Sequence, residues 1–133
     1  MEHVPLDAIA ADATFRLREV GDVSGLATAI GRLGQVEPLD LRPLPAPEGE
    51  GKSYQVVRGF RRLEALRLLQ RERVLARVHE ALPDADAWAL ALAGPLFGEA
   101  WGPAELEALA PAVKRWLPWA EPVLAAARKR AYG

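Results

Sequence analysis

The segment from Tyr54 to Leu66, YQVVRGFRRLEAL, constrains the fold most, because a strand pattern changes to a helix pattern there across one glycine. The β-branched and aromatic residues before Arg58 favour an extended strand. From Arg61 onward, leucines recur at helical spacing, so we expect a helix to begin next to Gly59.

The start of this expected helix has the chemistry of an anion site. The first backbone N–H groups of a helix lack intrahelical partners, and the helix dipole is positive there. Gly59 lets a ligand approach closely, and the adjacent Arg61 and Arg62 supply guanidinium groups that suit phosphate oxygens. With Arg58 and Arg67, four arginines lie within ten residues of a chain whose formal net charge is -1. This local charge predicts a phosphate or triphosphate ligand; the alternative is that both arginines lie on a solvated helix face.

Three segments carry a resemblance to a known family. YQVVRGFRRLEALRLL contains a form of a G-E-R-R-x-x-A box, MEHVPLDAIAADATFRLR reads as a strand with an arginine-containing loop, and LATAIGRLGQVEPLDLRPL reads as a helix, a G-x-x-x-P loop and a strand. In this order they resemble the boxes of the ParB N-terminal domain, the nucleotide-binding part of the ParB/sulfiredoxin superfamily. The resemblance covers residues 4 to about 95. It implies an α/β (α+β) fold, in which a small mixed sheet has flanking helices and a helical C-terminal segment follows.

The resemblance also implies a nucleotide site, typically for CTP, whose binding closes two protomers into a clamp. Phosphates would be held at the glycine and arginines that begin the helix, with a further arginine reaching them from the first loop. Either Arg16 or Arg18 would be that arginine, and the loop from Gly34 to Pro38 would line the base and ribose. The nucleotide-binding residues that we assign on this basis are Arg16, Arg18, Gly34, Gln35, Pro38, Arg58, Gly59, Phe60, Arg61 and Arg62.

Two departures from the family pattern bear on catalysis. Phe60 stands where the box has glutamate, and Ala93-Gly94 stands where the family has a Glu-Asn pair that serves metal and water. Phenylalanine and alanine neither ligate magnesium nor polarise water. We therefore expect CTP binding with little or no hydrolysis, no catalytic residues and no protein metal ligands, and whether Mg²⁺ accompanies the nucleotide stays open. A weak CTPase, a ParB-like nuclease or phosphotransferase, and an interaction domain with a vestigial site remain as alternatives.

Composition indicates a compact globular protein. The chain has 133 residues, half of them apolar, and no cysteine, which excludes disulfides, thiolate metal sites and the cysteine chemistry of the sulfiredoxin branch. No segment approaches 18 uninterrupted apolar residues, and the first residues lack the order of a signal peptide. We expect a cytoplasmic protein that does not enter a membrane.

Local patterns predict the order of elements. The expected strands are 3–9, 37–43, 53–58 and 73–79, and the expected helices are 23–33, 60–70 and one from Pro83 that stops at Gly94. The segment PLPAPEGEGKS is expected to be a mobile, hairpin-like connection. After Pro95 the chain reads as helices with breaks near Pro111 and Pro118. We therefore place a nucleotide-binding domain at 1–95 and a Trp-rich helical extension at 96–133.

The helical extension holds three of the four tryptophans. Tryptophans at helical spacing usually pack in a core, and they are also enriched in interfaces. We interpret Trp101, Trp116, Leu117 and Trp119 as residues of helix packing or of a protomer interface. In the ParB family the segment after the nucleotide domain packs across the dimer, so the resemblance implies a homodimer.

Other functions find little support in the residues. His3 and His79 have no Cys, His or acidic pair at metal-ligand spacing, and both are interpreted as plain surface residues. The extension carries its basic cluster only at the extreme C-terminus, and GPAELEALA lacks the basic side chains of a recognition helix. We expect no specific DNA binding by this chain alone. The resulting hypothesis is a CTP-dependent dimerisation or adaptor module with a partner in the chromosome-segregation machinery.

Overall fold

The computed structural model describes residues 1–44 and 51–132. The chain forms two compact units, Met1–Ala81 and Leu82–Gly133. The first unit contains β1 (Glu2–Pro5), α1 (Ser24–Leu33), β2 (Leu39–Pro43), β3 (Tyr54–Arg58), α2 (Phe60–Leu68) and β4 (Arg73–Val78). The second contains α3 (Asp84–Phe97), α4 (Pro103–Glu107), α5 (Ala110–Trp116) and α6 (Glu121–Tyr132).

The sheet of the first unit is mixed and has the strand order β1-β4-β2-β3. β4 pairs antiparallel with β1 and parallel with β2, while β2 pairs antiparallel with β3. The register of β2 against β3 shifts between Asp40 and Leu41, which is the local irregularity of a bulge. The predicted α/β class, a small mixed sheet with flanking helices followed by a helical segment, is confirmed.

Alternation along the strands directs apolar side chains toward α1 and α2. Leu39 and Leu41 of β2, Val74 and Ala76 of β4, and Leu66 of α2 belong to one buried cluster. The two helices contact each other, and α2 also contacts β2. This packing holds the first turn of α2 beside the first residues of β2.

The first strand is shorter than predicted. β1 ends at Pro5, and Leu6–Ala8 forms one 3₁₀ turn in which the N–H of Ile9 donates to the carbonyl of Leu6. The N–H of Leu6 still donates to the carbonyl of Glu72 in line with β4, and the 3₁₀ turn then leads the chain away from the strand direction. The predicted strand is therefore wrong at residues 6–8, whereas Ile9 forms an isolated parallel bridge with Tyr54. Of the expected mobile connection between β2 and β3, residues 45–50 lie outside the described residues.

Helix α3 continues past the predicted stop at Gly94 and includes Pro95. The N–H groups of Gly98 and Glu99 both donate to the carbonyl of Gly94, so helical hydrogen bonding continues past Pro95, which has no N–H to donate. Proline is thus tolerated close to a helix end. The compact helical unit begins at Leu82, before the domain boundary that we placed at residue 95, because α3 contacts α5 and α6.

In the helical unit, prolines lie at the starts of successive helical elements. Pro103 begins α4, Pro111 lies in the first turn of α5, and Pro118 begins a 3₁₀ turn that leads into α6. These positions agree with the predicted breaks, since proline is favoured in a first turn and disrupts a helix interior. Across the described parts of the chain, no helix has the length and apolar character needed to span a membrane.

Candidate functional site

The junction between β3 and α2 requires glycine. Gly59 has a φ of 106°, in the left-handed region, and is the N-cap of α2. A Cβ built on it would lie 2.8 Å from Cδ2 of Leu39 in β2. Only a residue without a side chain allows the strand to turn into the helix this close to β2. Among the described residues, no side chain caps this helix start.

Arg61, in the first turn of α2, is tied to the loop before α1. Its two terminal nitrogens donate to the backbone carbonyls of Val20 and Asp22, the latter at 3.2 Å. The carboxylate of Asp22 in turn accepts the N–H of Ser24 at the start of α1. This hydrogen bond, a second from the Ser24 side chain and the charge of Arg61 lower the pKa of Asp22. Arg61 therefore links the end of the first loop to α2.

Arg62 reaches the loop between α1 and β2. Its Nη1 donates to the carbonyl of Pro38 at 2.9 Å, and its Nη2 pairs with Oε2 of Glu37 at 2.8 Å. The Glu37 carboxylate is mostly exposed, whereas the Arg62 side chain is largely covered. The two neighbouring arginines thus bind two different loops, and they hold both loops next to the first turn of α2, which begins after Gly59.

The Gly34–Pro38 loop has a second anchor. Gly34 ends α1 with a φ of 80°, and the next side chain, that of Gln35, contacts β4. Gln35 accepts the N–H of Leu75 at 2.7 Å and donates to the carbonyl of Leu75 at 2.8 Å. Because β2 and β4 are parallel neighbours, this amide continues their pairing just before Leu39 begins the strand. Gln35 therefore fixes the position of the loop.

The other assigned residues surround this helix start to different degrees. Arg58 is the exposed last residue of β3, and Phe60 begins α2 with its ring against the core. Arg16 and Arg18 are exposed, and Arg16 lies 3.6 Å from Glu19 in its own loop. Both first-loop arginines are therefore accessible candidates for ligand contact.

A buried polar cluster that the sequence analysis missed holds the first loop against the sheet. Arg42 of β2 donates through Nε to Oε1 of Gln55 at 2.8 Å, and Nε2 of Gln55 donates to Asp12 at 3.0 Å. The Arg42 guanidinium also lies over the ring of Phe15, 5.1 Å from its centre. Arg42, Gln55 and Phe15 are all buried. In the sequence, the only sign of this cluster was a polar residue inside each of two strand patterns. That the two residues pair becomes clear only when the register of β2 against β3 is known.

Asp12 is the charged partner of this cluster. Partial burial would raise the pKa of the carboxyl, but hydrogen bonds from Gln55 and Thr14, with the charge of Arg42, outweigh it and lower the pKa below its usual 3.8. Asp12 therefore stays ionised at neutral pH and compensates the buried arginine.

His79 has a specific partner, which its interpretation as a plain surface residue did not foresee. Its Nε2 lies 2.9 Å from Oδ1 of Asp40, and Arg77 lies 3.4 Å from the same oxygen. Asp40 is buried at 6% exposure, so its carboxylate requires such partners. Asp40 and His79 are 39 positions apart, and the parallel pairing of β2 with β4 brings them together.

The donors at the start of α2 suit phosphates better than a protein-bound metal. Within residues 1–44 and 51–132, no three His, Cys, Asp or Glu side chains are grouped so that they could hold a metal ion. Phe60, at the helix start, has no ligating atom. The backbone N–H groups of the first turn and the two guanidinium groups are all hydrogen-bond donors, which fits a polyanion.

In the helical unit, the predicted packing and interface residues separate into two kinds. Trp101 and Leu117 are buried, and Nε1 of Trp101 donates to Glu99 at 2.9 Å. Trp116 stacks on Trp88 with ring centres 6.3 Å apart. Trp119 is 64% exposed. The first three take part in helix packing, whereas Trp119 presents a large apolar surface to solvent.

The family follows from a match that covers most of the chain. Residues 2–94 match the family model of the ParB N-terminal domain. The chain belongs to this family. A search of curated protein sequences finds no match for the chain.

Solved ParB structures share the fold. A C-terminally truncated chromosome-partitioning protein ParB from Caulobacter crescentus, complexed with CTP-gamma-S, has a TM-score of 0.58 and 24% identity over 84% of this chain. A truncated ParB from the same organism, complexed to the centromeric parS site, has a TM-score of 0.61 and 18% identity over 99% of this chain. The chain covers 61% of the first structure's length and 68% of the second.

Proposed function

We propose that this ParB N-terminal domain binds CTP and acts as a nucleotide-dependent dimerisation or adaptor module in chromosome segregation, with little or no hydrolysis. One observation carries the proposal: two adjacent arginines at a glycine-started helix gather the first loop and the Gly34–Pro38 loop around one set of hydrogen-bond donors. The ParB that shares this fold was crystallised with a CTP analogue, which supports the choice of nucleotide.

The arrangement leaves donors for phosphate oxygens. A guanidinium group carries five N–H donors. Arg61 and Arg62 each use two nitrogens on the loops, so each retains donors that can point to a ligand at the helix start. The unpaired N–H groups of the first turn and the positive end of the dipole add to the attraction. Since the arginines are already positioned by backbone carbonyls, binding requires little further ordering of their side chains.

The bound nucleotide should remain unhydrolysed, because other residues replace those that orient the metal ion and the attacking water in the family. Phe60 begins α2 with an apolar ring, and Ala93 and Gly94 lie in α3 of the helical unit. Hydrolysis requires a positioned water and neutralisation of developing charge. Incubation with CTP should release phosphate no faster than a control without protein. Steady release with turnover would favour the weak CTPase instead.

Dimerisation or partner binding would use the helical unit. Trp119 is exposed there, and an exposed tryptophan is a frequent anchor of interfaces. A nucleotide changes such an equilibrium only to the extent that it binds one state more tightly. CTP should therefore raise the mass measured by light scattering, and a nucleotide that does not bind should leave it unchanged.

A vestigial site is the second candidate, and a specific contact favours it. Both arginines are engaged by the protein itself, and Arg62 already has a carboxylate partner in Glu37. Calorimetric titration with CTP, ATP, GTP and UTP decides between the two. Saturable binding of CTP, weaker with the other three, supports the proposal. If none of the four nucleotides produces heat of binding, the result would support an interaction domain whose nucleotide site is vestigial.

A further inference from the structure

Glu37 forms the direct ion pair described above for Arg62. Its Oε2 lies 2.8 Å from Nη2 of Arg62, on the donor edge that a phosphate oxygen would use. The other hydrogen bonds described for the two arginines go to backbone carbonyls, which are neutral acceptors, and the Asp22 carboxylate interacts with Arg61 through its charge. Glu37 thus supplies a negative charge at the site proposed for a polyanion.

The position of Arg62 does not depend on this carboxylate. Nη1 of Arg62 donates to the carbonyl of Pro38 at 2.9 Å, and this bond keeps the guanidinium against the Gly34–Pro38 loop. The Glu37 side chain is 74% exposed, and an exposed ion pair contributes little to stability because water screens it. Glu37 can therefore rotate away from Arg62 at small cost while the arginine stays in place.

We infer that Glu37 is an internal competitor for the phosphate-binding edge of Arg62 and limits the affinity of the site. This inference rests on the proposed nucleotide function. A phosphate that approaches Nη2 has to displace the carboxylate, and the displaced carboxylate stays close enough to repel it. The residue thereby raises the nucleotide concentration at which the domain is half-saturated. It determines affinity and takes no part in chemistry.

Glu37→Gln provides the direct test. Glutamine keeps the length of the side chain and removes its charge, so CTP should bind about two- to fivefold more tightly, the range expected for an exposed ion pair. Glu64→Gln is the matched control, because Glu64 pairs with Arg67 at 3.3 Å near the far end of the same helix. The control should bind CTP as the wild type does. Equal CTP affinity in the wild type and Glu37→Gln would overturn the competition.

A double-mutant cycle with Arg62→Lys separates competition from general repulsion. Lysine keeps the positive charge and loses the planar fork, so Glu37→Gln should improve CTP binding less in this background than in the wild type. An undiminished gain would mean that Glu37 repels phosphate without competing for Arg62, which contradicts the inference. Circular dichroism of each variant checks that the fold is retained. Absence of CTP binding in the wild type and in every variant would contradict both the inference and the proposed function, whereas binding without a Glu37 effect would contradict the inference alone.

Discussion

Gln35 pairs with the backbone of Leu75 as a neighbouring strand residue would, accepting its N–H at 2.7 Å and donating to its carbonyl at 2.8 Å. A side-chain amide has the same donor and acceptor as a peptide group, so it extends the pairing of β2 with β4 beyond Leu39. This contact and the bond from Arg62 to Pro38 fix the two ends of the loop that would meet a nucleotide.

Replacement of Gln35 should therefore destabilise the first unit. Gln35→Ala leaves a partly buried N–H and carbonyl of Leu75 without their partner, at a cost of about 1–3 kcal/mol. Gln35→Glu retains an acceptor for the N–H but has no donor for the carbonyl. The stability of this variant should therefore fall between that of the wild type and that of Gln35→Ala. Urea denaturation measures both variants, and unchanged stability of Gln35→Ala would contradict a structural role for the amide.

Gly59→Ala should destabilise the protein by about 1–3 kcal/mol, the range for a side chain forced into the left-handed region. The added Cβ would also lie 2.8 Å from Cδ2 of Leu39. Gly25→Ala is the matched control, because Gly25 lies in α1 and has nothing within 4 Å of the added Cβ. That control should be stabilising by up to about 1 kcal/mol, since alanine favours a helix more than glycine does. A Gly59→Ala protein as stable as wild type would argue against the strained turn.

Acid should remove the contribution of the Asp12 carboxylate to the stability of the folded protein. The pKa of its carboxyl is lower in the folded protein than the usual 3.8, so its stabilisation is complete above that value and is lost as pH falls through the lower folded pKa. Asp12→Asn removes the negative charge that accepts the hydrogen bond from Gln55 and interacts with the charge of Arg42. The wild type should exceed this variant in melting temperature at pH 6, and the difference should shrink below about pH 4. A difference that stays constant down to pH 2 would exclude the proposed titration.

The two site arginines should each matter for CTP. Arg61→Ala and Arg62→Ala should weaken binding by about 1.5–3 kcal/mol, the value of a hydrogen bond to a charged group. Arg67→Ala serves as the control, since Arg67 lies in the last turn of α2 and pairs with Glu64. Calorimetry measures all three variants. Wild-type affinity for CTP in both site variants would contradict the phosphate site. The affinity of the wild-type protein for CTP should also fall when the salt concentration is raised.

Trp119 should matter for assembly. Trp119→Ser removes an exposed aromatic side chain and should reduce the mass increase that CTP is expected to produce in light scattering. Tyr132→Ser is the control, because Tyr132 is another large exposed aromatic residue in the helical unit. An equal response of both variants to CTP would place the interface elsewhere.

Much of the fold could be predicted because its signals are local. α1, β3 and α2 lie within two residues of their predicted bounds, since side-chain periodicity and Gly59 mark them directly in the sequence. The ends of β1 and α3 could not be predicted in the same way. A 3₁₀ turn follows β1, and α3 continues through Pro95, and side-chain periodicity marks neither of these features.

The polar contacts around the candidate site could not be predicted from spacing. Gln35 is 40 positions from Leu75, and Asp12 is 43 positions from Gln55. Each pair meets because of strand order and register, which short sequence patterns do not specify. The arginines were found because their chemistry is local to one helix turn. Their partners, Val20 and Pro38 among them, became visible only in the folded chain.

The strand order also has a consequence for synthesis on the ribosome. β1 pairs with β4 alone, and β4 lies between β1 and β2 in the sheet. β1, the first strand of this unit to be synthesised, therefore has no strand partner until β4, the last strand of the unit, has emerged. Until residue 78 has emerged, β1 lacks its strand partner and is accessible to chaperones and proteases, whereas residues 8–10 can already bond to Ser53 and Tyr54. The parallel pair at the centre of the sheet thus delays folding of the unit until its last strand has been synthesised.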